Sequence, residues 1–233
     1  MRTVNAPDIY LMGAQKASTT SMAEWLSSSP QISGSKPKET EHFTLGRCKQ
    51  YNKCFKGNGL WLDSTPSGYC LEFAERLYNA NPACKIIYIV REPMSRAYSA
   101  WKMYGRGNKL GGFVDYCRQD IAKLETLNSE NDTMGIVRRS MYADVLESVL
   151  NYFDSDNVLV LSFDKVIQNS KDEQQRIFDF LGIDPIKSEY PRRNKTSGNS
   201  DIPKSDDLVK FFNQQSERLF NLIGWQPYNK ITA

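Results

Sequence analysis

Two short stretches of this chain combine the residue types that bind anions. The first reads Gly13-Ala-Gln-Lys16-Ala17-Ser18-Thr19-Thr20. Small residues let an anion approach the backbone, and the unpaired N–H groups at a helix start point outward with the helix dipole behind them. Lys16 adds a full charge, and Thr19 and Thr20 add donors, so the stretch suits a phosphate or sulfate. The plainer alternative is a capped helix with a surface lysine. The second stretch reads Val90-Arg91-Glu92-Pro93 and continues to Ser99. An arginine fork matches phosphate oxygens two at a time, and a hydroxyl two helical turns on can join it. Its plainer alternative is an arginine paired with Glu92 or another acid. Together the two stretches suit a ligand with two separate phosphate groups. The first is not a Walker loop, because no second glycine precedes Lys16 and no hydroxyl residue follows it directly. The pattern that would place a Mg²⁺ is therefore not spelled out.

The flanking residues predict how these stretches are held. Asp8–Met12 is a short apolar run that ends at Gly13, as a buried strand would. A helix over about 19–28 follows, with Ser18–Ser21 as capping residues, Met22, Trp25 and Leu26 as its apolar stripe, and Pro30 beyond its end. Residues 31–70 read as mostly loop, and Leu71–Tyr78 as a short helix. Lys85–Val90 is nearly all apolar and rich in β-branched residues, which suits a strand covered on both faces. Pro93 suits the opening turn of a helix. Tyr142, Val145, Leu146, Val149, Leu150 and Phe153 recur at helical spacing, and Val158–Ser162 reads as another buried strand. A helix over 171–181 turns Ile177, Phe180 and Leu181 inward, and a last one runs from Leu208 to Ile223 before Gly224. Alternating strands and helices predict an α/β fold with a central parallel sheet, a single domain over 1–233, and ligands at the carboxyl ends of the strands.

Composition narrows the function. A net charge of +3 on 233 residues is too small to argue for nucleic acid. No run approaches the ~20 apolar residues that span a bilayer. The first residues show no long apolar core of a secretory leader, so the expectation is a cytoplasmic protein, with a lumenal catalytic domain as the alternative. The single histidine, His42, rules out chemistry that needs two histidine ligands and argues against a Ser-His-Asp triad; the expectation is no metal. The five cysteines are Cys48, Cys54, Cys70, Cys84 and Cys117. They read either as reduced thiols or, for Cys48 and Cys54, as a bridge across a polar loop.

In this order the two stretches resemble the motifs of the sulfotransferase superfamily that uses 3′-phosphoadenosine 5′-phosphosulfate. The first is similar to that family's GxxKxGTT-like loop, with Ser18 in place of the usual glycine. The second is similar to its strand–Arg–[Asp/Glu]–Pro–x6–Ser motif. A third segment, Lys38-Glu39-Thr40-Glu41-His42-Phe43, resembles the KExxFF stretch of the carbohydrate (heparan-type) and bacterial branch. Arg139-Ser-Met-Tyr142, the strand at 158–162 and Leu219–Trp225 are also similar, so the resemblance covers nearly the whole chain. It departs at Asp63-Ser64-Thr65-Pro66, where heparan-type enzymes often carry Glu-Lys-Thr-Pro, with the lysine near the reaction centre.

The resemblance implies a P-loop-NTPase-like domain that moves a sulfuryl group to a hydroxyl or amine of a carbohydrate or small-molecule acceptor. It implies that Gly13, Lys16, Ala17, Ser18, Thr19 and Thr20 hold the 5′-phosphosulfate, and that Arg91 and Ser99 hold the 3′-phosphate. It adds Tyr142, and Arg193 and Lys195 of a late basic loop, as donor contacts. Glu39 is the implied base, with His42 and Glu41 as competitors, and Lys16 stabilises the leaving phosphate oxygen. The partners implied are the nucleotide donor and a hydroxylated acceptor, with no nucleic acid. Trp61, Tyr69, Trp101, Tyr104 and Tyr142 either pack or line the acceptor cleft. Two rival readings remain: a divergent nucleotide or small-molecule kinase, and a nucleotide-binding module without turnover.

Overall fold

The computed structural model describes residues 5–68, 70–105, 111–124, 135–191 and 202–232. Five parallel strands form its sheet: β1 Ile9–Gly13, β2 Ile32–Gly34, β3 Leu60–Asp63, β4 Lys85–Val90 and β5 Val158–Ser162, in the order β2-β3-β1-β4-β5. Helices flank it: α1 Thr19–Leu26, α2 His42–Leu45, α3 Phe73–Ala80, α4 Pro93–Tyr104, α5 Phe113–Lys123, α6 Tyr142–Leu150, α7 Phe163–Ile167, α8 Lys171–Leu181 and α9 Asp206–Ile223. This is the α/β architecture expected from the alternation of apolar runs.

The strands with the strongest apolar runs lie in the middle. β1 and β4 pair with each other, Tyr10 opposite Ile86, and every residue of β1 and five of the six in β4 are buried. Chain connections from β1 run to one edge of the sheet and return, whereas β4 and β5 build the other side. Such a reversal opens a crevice at the carboxyl ends of the neighbouring strands. Both stretches expected to bind anions start there.

Residues 31–70 are largely loop, as expected, but four short elements interrupt them. These are β2 and β3, which pair with Ile32 opposite Leu60, as well as α2 and a 3-10 turn at Tyr51–Cys54. β2 has only three residues, and β3 ends in a buried Asp63, so neither shows the long apolar signature of an inner strand. Where β3 begins, a Cβ on Gly59 would stand 2.7 Å from the Gln31 carbonyl oxygen, so the approach of the two strands requires glycine.

Helix ends differ in detail from the expectation. α1 stops at Leu26, short of Pro30, and its Met22, Trp25 and Leu26 stripe is buried as expected. On α8 the inward residues are Ile177, Phe178 and Leu181, while Phe180 is half-buried at the rim, where Lys85 Nζ lies 5.1 Å from its ring centre. A second apolar cluster joins α4, α5 and α9 through Met94, Ala97, Phe113, Cys117, Leu208 and Phe212. All five cysteines are free thiols. Among the described residues no helix is long and apolar enough to cross a membrane.

Trp25 bolts α1 to the segment after α8. Its indole packs 5.5 Å from Phe178 and 5.7 Å from Tyr190, and Nε1 donates to the Ser188 carbonyl at 2.9 Å. Trp25→Ala is expected to cost about 3–5 kcal/mol, from lost contact and the cavity left behind. Urea unfolding would measure it, and a loss under ~1 kcal/mol would refute this account of α1.

Candidate functional site

β1 delivers the chain to Gly13, whose φ of 139° is open to glycine and strained for other residues. The next turn places Lys16 (φ 70°) and Ser18 (φ 64°) in the left-handed region before α1 begins at Thr19. Left-handed backbone at a residue with a Cβ needs outside support. For Ser18 that support is Tyr190, whose hydroxyl donates to Ser18 Oγ at 3.0 Å and lies 3.2 Å from its carbonyl oxygen. Ser18 therefore does not cap α1 with its side chain, contrary to the sequence expectation. Burial raises the Tyr190 hydroxyl to about 12, although its bond to Ser18 pulls the other way, so it stays a donor near neutrality. Its left-handed φ also explains why glycine suits this position in the motif that the loop resembles.

β4 delivers Arg91 beside this loop. Arg91 Nη1 donates to the Lys16 carbonyl at 3.0 Å, and its guanidinium lies 4.6 Å from the Phe163 ring centre. Burial lowers its pKa, opposed by Tyr142, Glu92 and Asp164. Glu92 is engaged elsewhere: its carboxylate accepts from Met94 N at 2.7 Å and Ser95 N at 2.8 Å, capping α4, and also from Ser95 Oγ. Ser99 follows on α4, buried but lining the same cavity. The two stretches thus meet in one cavity of about 870 Å³, lined by Lys16, Ser18, Thr19, Thr20, Arg91 and Ser99 among others.

Three expected donor contacts stand differently. Ala17 is fully buried and does not line the cavity. Gly13 lies outside the lining too and acts through its backbone turn. Tyr142 is buried, and its hydroxyl donates to the Arg91 carbonyl at 2.8 Å, so it supports the arginine from behind. Of the aromatic residues, Trp61 stacks on Phe55 at 4.5 Å, Trp101 stacks on Tyr98, and the Tyr104 hydroxyl meets the Gln15 amide at 3.0 Å. Arg193, Lys195 and Tyr69 lie outside the described residues.

The segment before α2 brings Glu39 into the lining of the same cavity. Beneath it, Asp63 is fully buried and accepts from Thr40 Oγ1 at 2.6 Å, Thr65 Oγ1 at 2.7 Å and Tyr51 Oη at 2.9 Å. Thr65 Oγ1 in turn accepts from Thr40 N and Glu41 N. Lys38 Nζ lies 2.8 Å from Glu39 Oε1 and 3.3 Å from the Ser64 carbonyl. Ser64 stands where Glu-Lys-Thr-Pro carries lysine, and the Lys38 contact here is with its main-chain carbonyl. The competing bases are occupied elsewhere. Glu41 pairs with Arg47 at 2.6 Å, and His42 bonds the Cys48 carbonyl through Nδ1 at 2.7 Å while stacking on Tyr51. Neither lines the cavity.

Sequence reasoning missed several residues that shape the site. Arg96 is fully buried, donates through Nε to Ser140 Oγ at 2.7 Å, also bonds the Ile136 carbonyl, and reaches the Gln15 carbonyl at 3.5 Å. Phe163 and Tyr190, which line the cavity, also went unread. None occupies a defining position of a motif, and their partners are 72 or more residues away in sequence except for Ser140 and Ile136. Among the described residues no group of three or more His, Cys, Asp or Glu is placed to hold a metal.

The sulfotransferase domain family matches residues 6–219, and the chain belongs to that family. Human heparan sulfate glucosamine 3-O-sulfotransferase 5 is 26% identical over 195 residues, covering 79% of this chain and 56% of that protein. Mouse heparan sulfate glucosamine 3-O-sulfotransferase 3B1 is 25% identical over 224 residues, covering 88% and 53%. The chain spans about half the length of these curated relatives. Among solved structures, a sulfotransferase from Alicyclobacillus acidocaldarius aligns with a TM-score of 0.73 at 22% identity, over 94% of this chain and 96% of that one. The mouse sulfotransferase SULT7A1 complexed with PAP aligns at 0.54 and 19% identity, over 93% and 82%.

Asp63 should leave a signature in stability. Burial raises its pKa, and the bonds from Thr40, Thr65 and Tyr51 pull it back only in part. Between the unfolded value of ~3.9 and the higher native one, the native state holds more protons, so stability falls as pH rises through that window. Asp63→Asn is expected to flatten this fall in urea titrations run across the acidic range. An unchanged slope would mean that Asp63 does not carry it.

Proposed function

We propose that this chain transfers a sulfuryl group from 3′-phosphoadenosine 5′-phosphosulfate to a hydroxyl or amine of a carbohydrate. The observation that carries the reading is the Arg91–Lys16 hydrogen bond, which joins the two stretches in one cavity that Glu39 also lines. Family membership supports the reaction type. The names of the curated relatives favour an amino-sugar polymer as acceptor over a small metabolite.

When bound, the donor supplies an activated sulfuryl group attached to a phosphate leaving oxygen. The residues present fit such a ligand. Lys16, Thr19, Thr20 and the N-terminus of α1 form one anion cradle, Arg91 and Ser99 form a second, and about 870 Å³ lies within the usual range for a ligand cavity. Glu39 takes the acceptor's proton as the acceptor oxygen or nitrogen bonds to sulfur. The S–O bond to the phosphate breaks, and its electron pair leaves on the phosphate oxygen. Lys16 and the loop N–H groups stabilise that charge, as positioned cations and dipoles do in phosphoryl transfer. Lys38 keeps Glu39 oriented, and Asp63 fixes the backbone on which it sits.

Glu39→Gln is expected to bind adenosine 3′,5′-bisphosphate normally while turnover falls by roughly two decades or more. Near-normal turnover would remove Glu39 from the role of base. In a thermal-shift comparison, that nucleotide at 100 times its Kd should add ~2.7 kcal/mol of stability. Arg91→Ala should weaken its binding by roughly tenfold or more, as loss of a hydrogen bond to a charged group does. A response to ATP with Mg²⁺ and none to the bisphosphate would establish the kinase reading instead.

A further inference from the structure

The loop beyond α2 carries two sulfurs that this reaction does not use. The chain turns at Gly46, and Cys48 then lies against Cys54, the last residue of the 3-10 turn. Their Sγ atoms are 3.1 Å apart and share a hydrogen bond. That is only about 1 Å more than the ~2.05 Å of a disulfide bond. The other thiols are placed differently. Cys70 is buried beside Glu72 Oε2 at 3.3 Å, Cys84 bonds a backbone carbonyl, and Cys117 is buried on α5. Cys48 is the one cysteine with partial exposure, so a small oxidant reaches it first.

We propose that Cys48 and Cys54 form a redox-active pair that closes to an intramolecular disulfide by exchange with a small disulfide such as oxidised glutathione. The Cys48 thiolate attacks one glutathione sulfur, breaks the glutathione S–S bond and expels one glutathione thiolate. Cys54, having given its proton to solvent, then attacks Cys48 Sγ and expels the second. Two protein thiols lose two protons and two electrons, and the oxidant leaves as two thiols. Exposure sets this order. Cys54 is raised to about 11, first by burial and then by the Cys48 bond and the Asp63 charge, so it serves as the resolving thiol.

The bridge would clamp a loop that braces the catalytic segment. The Cys48 carbonyl accepts from His42, His42 stacks on Tyr51 at 4.5 Å, and Tyr51 donates to Asp63 below Glu39. This consequence rests on the role proposed for Glu39, whereas the bridge does not.

The test uses the full chain equilibrated in glutathione buffers of varied ratio, alkylated with iodoacetamide and digested with trypsin without reduction. Cleavage after Lys49 and Lys53 separates the two cysteines unless a bridge joins them. The expected product is Cys48-Lys49 linked to Cys54-Phe-Lys56, two hydrogens lighter than the separate peptides, dominant in oxidised glutathione and lost in excess reduced glutathione. Cys48→Ser and Cys54→Ser should each abolish it, while Cys70, Cys84 and Cys117 alkylate only after denaturation. Cys48 and Cys54 alkylating fully at every ratio would overturn the proposal, as would either one linking to another cysteine or stopping at the glutathione adduct. The readout is a mass, so it stands or falls independently of nucleotide binding and turnover.

Discussion

A guanidinium holding a carbonyl organises this molecule. Arg91 closes the strongest strand, and the oxygen it grips belongs to Lys16, in the loop that follows the adjacent strand. The loop needs that grip because two of its residues adopt left-handed backbone without being glycine. Arg91 needs support in return, since removing its charge from water is costly. Phe163 covers its face, and Tyr142 fixes its backbone. With Arg96 and Tyr190 approaching from α4 and the segment after α8, the turn between β1 and α1 is held from several directions. Rigidity matters for group transfer, in which the protein contributes position and charge more than covalent chemistry.

The segment that carries Glu39 depends on a buried carboxylate. Asp63 would be a liability without its three hydroxyl partners, because an unpaired buried charge costs several kcal/mol. With them it ties β3 to the segment that carries Glu39. Lys38 then restrains the carboxylate through a contact of 2.8 Å. Its ammonium also meets the main-chain carbonyl of Ser64, the residue that stands where Glu-Lys-Thr-Pro carries lysine.

Local sequence carried much of the reading. The apolar runs at 9–13, 85–90 and 158–162 are strands because their β-branched and aromatic residues are covered on both faces. Lys16, Arg91 and Ser99 were legible because each stands at a fixed offset from a strand end, where backbone geometry repeats. β2 and β3 were not, since three residues carry no periodicity and Asp63 interrupts the apolar pattern of the other. Ser18 was misread as a side-chain cap because its partner, Tyr190, lies 172 residues away.

Residue types and spacing alone determined the alternating fold class, and they singled out the two turns and the carboxylates on which the proposed function rests. Tertiary structure decided which carboxylate faces the cavity, which residues stand behind Arg91, and that Tyr142 braces the arginine from outside the lining. The division has a physical cause. Strands, turns and helix N-termini are set by neighbours a few residues apart, whereas facing, burial and long-range hydrogen bonds arise only when segments distant in sequence pack together.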